Sequence, residues 1–242
     1  MSKTRKIYCA RLVGRILLFA GCLVLWRWYP DSFAVLEGWN FFRQISPLHF
    51  LWVVWVADMV LQIVPIRNKV PLGSQKLFAN RFKPIRDAIH YEALKRYIES
   101  TTKAAYKVFL IWCVLILVIG ALYSAGCFPR EVLFMISVFF YVCDLICVLV
   151  WCPFRLIMKN RCCTTCRIFN WDHLMMFSPL LFMGGFFATS LVVLSAVAWL
   201  VWELCVMMYP ERFWDHSNAA LQCSQCTDKL CTQYCRKLRN DH

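Results

Sequence analysis

Five apolar stretches, about 12–29, 47–66, 107–123, 131–154 and 175–208, constrain this chain more than any other feature. A run of ~18 or more apolar residues makes a helix long enough to cross ~30 Å of hydrocarbon. In that medium every backbone polar group must be paired, which a helix does within its own segment. With 60% apolar and 17% charged residues, too little polar sequence remains among the 242 residues to coat a water-facing globule. The expected fold class is an all-α integral membrane protein with about five transmembrane helices, a basic amphipathic cytoplasmic helix and a short cysteine-rich C-terminal tail. Residues 1–208 form the expected membrane domain and 209–242 the tail.

The first run follows a basic start (Lys3, Arg5, Lys6, Arg11). Phe19-Ala20-Gly21-Cys22 approaches a lipobox, but Phe19 stands where an aliphatic residue is usual and Leu23-Val24-Leu25-Trp26 continues the run, so an uncleaved helix is expected. The stretch 67–107 carries ten Lys or Arg against three acids. From Pro84 it has helical periodicity, with Ile89, Ala93 and Tyr97 on one face, Leu94 and Ile98 on the next, and Glu92 one turn before Arg96. It reads as a helix lying on the membrane surface.

Counting Lys and Arg on alternate sides of five crossings gives nineteen against eight, with the N-terminus on the richer side. That side is expected to be cytoplasmic, in the cell membrane. The net charge of +13 is then read as a match for anionic headgroups, not for nucleic acid. The last run spans thirty-four residues, ~51 Å as one helix. Gly184-Gly185 lies too near its start to divide it evenly, so one tilted or protruding helix is expected, with Trp199 and Trp202 near its far interface. A re-entrant pair would instead return the tail to the connector's side.

Cysteine density suggests chemistry. The connector 152–173 holds Cys152, Cys162, Cys163, Cys166 and His173, with Cys163 and Cys166 in a CxxC. Two thiolates at that spacing reach one metal or form an exchangeable disulfide, and the flanking Arg161 and Arg167 favour thiolates. The tail reads Cys223-x2-Cys226-x4-Cys231-x3-Cys235. This approaches a zinc knuckle with cysteine in the histidine position and one residue fewer at the end. Zinc or an iron–sulfur cluster is the expected cofactor, while an oxidising compartment would make two tail disulfides the plainer outcome. Trp-Asp-His occurs at 171–173 and 214–216, so two Cys/His half-sites at opposite ends of the fifth helix are conceivable, each aspartate orienting its imidazole.

Two acids interrupt the apolar runs: Asp58, with Gln62 one turn on, and Asp144, beside Cys143 and before Cys147. An ionisable group at bilayer depth is costly and usually functional. His49, nearer an interface, reads as structural, and Cys22, Cys113 and Cys205 as small apolar fillers. There is no phosphate loop, HExxH or GxSxG.

Cys152-Pro153 after an apolar helix, followed by clustered cysteines, resembles membrane subunits that carry iron–sulfur centres in quinol-linked electron transfer. The likeness covers about twenty residues and lacks the repeated ferredoxin motif, so no residue roles are carried over. The first expectation is a multi-pass protein with a cysteine-based metal or redox site, used in electron transfer, sensing or assembly with a membrane partner. The alternatives are a membrane thiol–disulfide oxidoreductase using Cys163 and Cys166, a small proton or cation transporter using Asp58 and Asp144, and a structural partner without catalysis.

Overall fold

The computed structural model describes residues 3–64, 77–85, 90–159, 166–225 and 230, with backbone alone at Asn80 and Cys223. Among these residues the regular structure is helical: α1 (Lys3–Trp28), α2 (Leu48–Ile63), α3 (Tyr91–Ser124), α4 (Arg130–Leu149), α5 (Phe154–Met158), α6 (Asp172–Phe177) and α7 (Gly185–Met208), joined by short 3-10 turns. Four of them, α1, α3, α4 and α7, are long and apolar enough to cross a membrane. By that measure the chain is a membrane protein. The apolar α2 is shorter, at 16 residues.

The bundle is inside-out in the sense a lipid solvent favours. Leu17 on α1, Leu110, Val114 and Leu117 on α3 and Val193 on α7 are exposed, while α2 turns Leu48, Leu51, Trp55, Met59 and Gln62 inward at helical spacing. Trp55 is fully buried and meets Phe134, Tyr141 and Phe177 edge-on or tilted. These rings form the centre on which α2, α4, α6 and α7 pack. Helix α1 lies along α4, and α6 along α7.

Three expected boundaries are corrected. The basic helix and the third apolar run are one continuous helix of 34 residues, because no Pro or Gly occurs between Tyr91 and Ile119 to interrupt it. A surface helix bent away from its span is therefore not what forms. The fourth run leaves the helix at Leu149, ahead of Pro153, whose ring disfavours helical backbone at Cys152.

The largest correction concerns 175–208, which is not one helix. Helix α6 ends at Phe177, a 3-10 stretch follows over Ser178–Phe182 with Pro179 in its first turn, and Gly184 and Gly185 take φ of +67° and +79°. A Cβ on Gly185 would lie 2.8 Å from the Leu36 carbonyl oxygen and 2.9 Å from the Gly38 nitrogen, so only glycine fits this corner. The Phe186 amide donates to the Gly38 carbonyl (2.9 Å) and fastens it.

From this corner the chain reverses, and α7 runs back along α6 to the connector. Trp171 donates its indole N–H to Glu203 near the end of α7 (2.7 Å). Tyr97 of α3 donates to the Phe213 carbonyl (3.3 Å), and Arg167 and Phe213 share the wall of one small cavity. Both Trp-Asp-His motifs therefore stand at the same end of the bundle, not at opposite ends. Trp202 is buried there against Phe78 and Phe213.

Gly185→Ala tests the corner. It places a Cβ in the left-handed region, costing at least ~1–2 kcal/mol before the backbone clash is added, so the thermal midpoint of the purified protein should fall clearly. Gly21→Ala, whose added Cβ meets nothing within 4 Å, should be neutral or slightly stabilising.

Candidate functional site

Four elements turn polar side chains into a cavity of about 290 Å³ in the bundle. Helix α1 brings Arg15. Helix α2 brings Asp58 and Gln62, one turn apart and hence on one face, and α4 brings Tyr141 and Asp144 by the same spacing rule. Helix α6 opens with Asp172 and His173. At the rim sits the exposed Arg11.

The Arg15 guanidinium donates from Nη1 to Asp144 Oδ2 (2.7 Å) and to the Tyr141 carbonyl (2.6 Å). It also lies 3.7 Å from the centre of the Tyr141 ring. The Tyr141 hydroxyl continues the chain, donating to Asp58 Oδ2 (3.0 Å). On the facing wall, Asp172 Oδ1 accepts from Gln62 Nε2 (2.9 Å), from the His173 amide (2.7 Å) and from His173 Nδ1 (2.9 Å). A carboxylate only accepts, so His173 Nδ1 carries a proton toward Asp172. His173 Nε2 and Gln62 Oε1 are both buried without a hydrogen-bond partner among the described residues.

Burial makes these pairings obligatory. The Arg15 and Asp144 side chains are 15% and 12% exposed, and those of His173 and Asp172 9% and 12%. Taking an ion out of water costs several kcal/mol even after relaxation, which an opposite charge in hydrogen-bond contact offsets. Below the cavity a second buried pair holds the connector in place. Arg167 donates from Nε to Glu203 Oε1 (3.1 Å) and from Nη1 to Thr102 Oγ1 (2.7 Å), and its Nη2 meets Glu203 Oε2. This ties the segment that carries Asp172 to both α3 and α7.

Of the residues singled out by sequence, Asp58, Asp144 and His173 come together here, joined by groups that were not singled out: Arg15, Tyr141 and, in its bridging role, Gln62. Asp172 does orient the His173 imidazole. In the second Trp-Asp-His, Asp215 and His216 are 4.0 Å apart and mostly exposed. Cys152 and Cys166 line a different, adjoining cavity with Cys143 and Cys147, and the Cys147 and Cys152 thiols are hydrogen-bonded. Among the described residues no three His, Cys, Asp or Glu converge as a metal ion requires. Cys162, Cys163, Cys226, Cys231 and Cys235, and the side chain of Cys223, lie outside the described residues.

No family model, curated protein or solved structure matches this chain.

The Arg15–Asp144 pair makes a direct prediction. Arg15→Met leaves a buried carboxylate unpaired and should destabilise the protein by ~3–5 kcal/mol. The double variant Arg15→Met/Asp144→Leu should recover most of that loss in denaturant unfolding of micelle-solubilised protein.

Proposed function

We propose that the protein is a small membrane transporter in which the Asp58, Asp144, Asp172 and His173 groups take up and release a proton, as cargo or as coupling ion. One observation carries this reading: ionisable side chains from α1, α2, α4 and α6 line one half-open cavity within a chain of membrane-spanning composition. Intramembrane ionisable groups that face a cavity are, by default, parts of an ion or proton path.

A proton suits the donor set better than a metal cation. Each carboxylate already accepts from a different donor, Tyr141, Arg15 or the Gln62–His173 pair, and the acids are spaced along the wall instead of meeting at one point. Such groups can pass a proton between neighbours. Asp172 stabilises the His173 ring in its charged form, so the pair can hold a proton at this wall. Arg15 remains charged throughout, held also by the Tyr141 carbonyl and ring when Asp144 takes the proton.

On this reading the end of the bundle that carries the basic start of α3, the connector and residues 209–225 faces the cytoplasm, where its Lys and Arg meet anionic headgroups. The N-terminus lies on that same side of the cell membrane.

The test is proton flux in proteoliposomes loaded with a pH-sensitive dye and given a proton gradient with a potassium shunt. Wild-type protein should acidify the lumen faster than protein-free vesicles, and Asp144→Asn and His173→Gln should each lower the rate at least tenfold. Wild-type rates equal to those of empty vesicles, or variants as fast as wild type, would contradict the proposal.

A further inference from the structure

Four of the described cysteines, Cys143, Cys147, Cys152 and Cys166, border a second cavity of about 190 Å³ beside the polar one. Its wall is mostly apolar, with rings from Trp112, Phe140, Phe154 and Phe169. Trp112 stands 5.0 Å from Phe140 and 6.2 Å from Phe154, centre to centre, and its indole N–H is held by Ser178 Oγ (3.0 Å). An apolar cavity of ~150 Å³ holds a benzene ring. An organic molecule of ring size therefore fits here.

Two of the four sulfurs are in contact. In an unbroken helix, residues five apart point about 140° away from each other and do not meet. Helix α4, however, ends at Leu149. The Val150 and Trp151 amides both donate to the Ile146 carbonyl, at 2.8 and 3.2 Å, which folds the chain back over the last turn. That return brings Cys152 to Cys147, and their thiols are hydrogen-bonded. Cys147 is the donor, and an S–H aimed at a neighbouring sulfur favours a thiolate there. Arg155 on the same wall adds positive charge near it. Both cysteines are half-buried, so both sulfurs can meet a molecule in the cavity.

We propose that Cys147 and Cys152 are a redox-active thiol pair that reduces lipid-soluble organic hydroperoxides entering the apolar cavity. The Cys152 thiolate attacks the terminal peroxide oxygen. An S–O bond forms, the O–O bond breaks, and the alkoxide leaves as an alcohol with the proton that Cys152 gave up. The Cys147 sulfur then attacks the sulfenic acid at Cys152, forming the S–S bond and releasing water with the Cys147 proton. Two thiols and one hydroperoxide thus become a disulfide, an alcohol and water. A small dithiol reductant restores the pair by exchange. The apolar wall selects an organic hydroperoxide over hydrogen peroxide, which gains few polar partners there.

The test uses purified full-length protein in micelles, reduced, then exposed to cumene hydroperoxide or hydrogen peroxide and alkylated before digestion. Trypsin releases 131–155, which carries Cys143, Cys147 and Cys152 together. After cumene hydroperoxide this peptide should be lighter by two hydrogens and alkylated only at Cys143, and dithiothreitol should restore all three thiols. Measured against each reagent's oxidation of the exposed Cys127, cumene hydroperoxide should close the pair roughly tenfold faster than hydrogen peroxide. Cys147→Ser should leave a sulfenic acid at Cys152 that dimedone traps, and Cys152→Ser should leave Cys147 reduced at the same dose. Three alkylatable thiols after exposure, a disulfide that includes Cys143, or equal relative rates for the two peroxides would overturn the proposal. So would a Cys152→Ser protein whose Cys147 oxidises at the wild-type rate. The proton relay uses none of these sulfurs, so loss of proton flux leaves this inference standing, and an unreactive pair leaves the relay standing.

Discussion

Arg15 and Asp144 meet at 2.7 Å inside a bundle whose outer surface is apolar, and each charge offsets the cost of burying the other. The contact joins the first helix to the fourth, across 129 residues of sequence. It holds α1 against α4 at a point where apolar packing alone would not distinguish one rotation of α1 from another, since lipid tails compete equally for an apolar face. Tyr141, one turn before Asp144, then passes the connection on to Asp58 of α2. Three helices are registered by one chain of donors and acceptors, and the cavity is the space left between them.

The second determinant is the corner at Gly184–Gly185. It converts the last apolar run into a descending segment, α6 with its 3-10 extension, and a returning helix, α7. Because the descending segment starts at the connector, it delivers Asp172 and His173 to the wall opposite Arg15, with Arg167 and Glu203 fixing its depth. A single straight helix over 175–208 would carry Glu203 away from Trp171 and Arg167, which it pairs with here. The fold and the site are thus coupled through a backbone position that no side chain can occupy.

How much of this was legible in the residues varies with the physics involved. The long helices were readable, because hydropathy reports directly on burial in lipid. Asp58 and Asp144 stood out for the same reason, as charges in apolar surroundings. Arg15 did not, because it follows Arg11 by one turn and reads as part of a basic N-terminal flank. Only the approach of α4 makes it a buried partner. Gly184-Gly185 was visible as a pair of letters, but its meaning lies in the nearness of Leu36 and Gly38, which is a tertiary fact. The break between surface helix and span at Lys107 was inferred from a change in polarity, whereas helix continuity depends on backbone compatibility and is unaffected by it. The cysteines drew attention by number, yet four of the described ones, Cys143, Cys147, Cys152 and Cys166, are spread along an apolar wall.

If the buried acids and His173 relay a proton, as proposed, they must change protonation state while the bundle stays folded. The direct measurement is infrared difference spectroscopy of the protein in liposomes across a pH step near neutrality, which reads protonated carboxyl groups apart from carboxylates. The account predicts a protonated-carboxyl band that appears and disappears reversibly with the step and is diminished in Asp58→Asn or Asp144→Asn. Carboxyl groups that keep one protonation state throughout would contradict it.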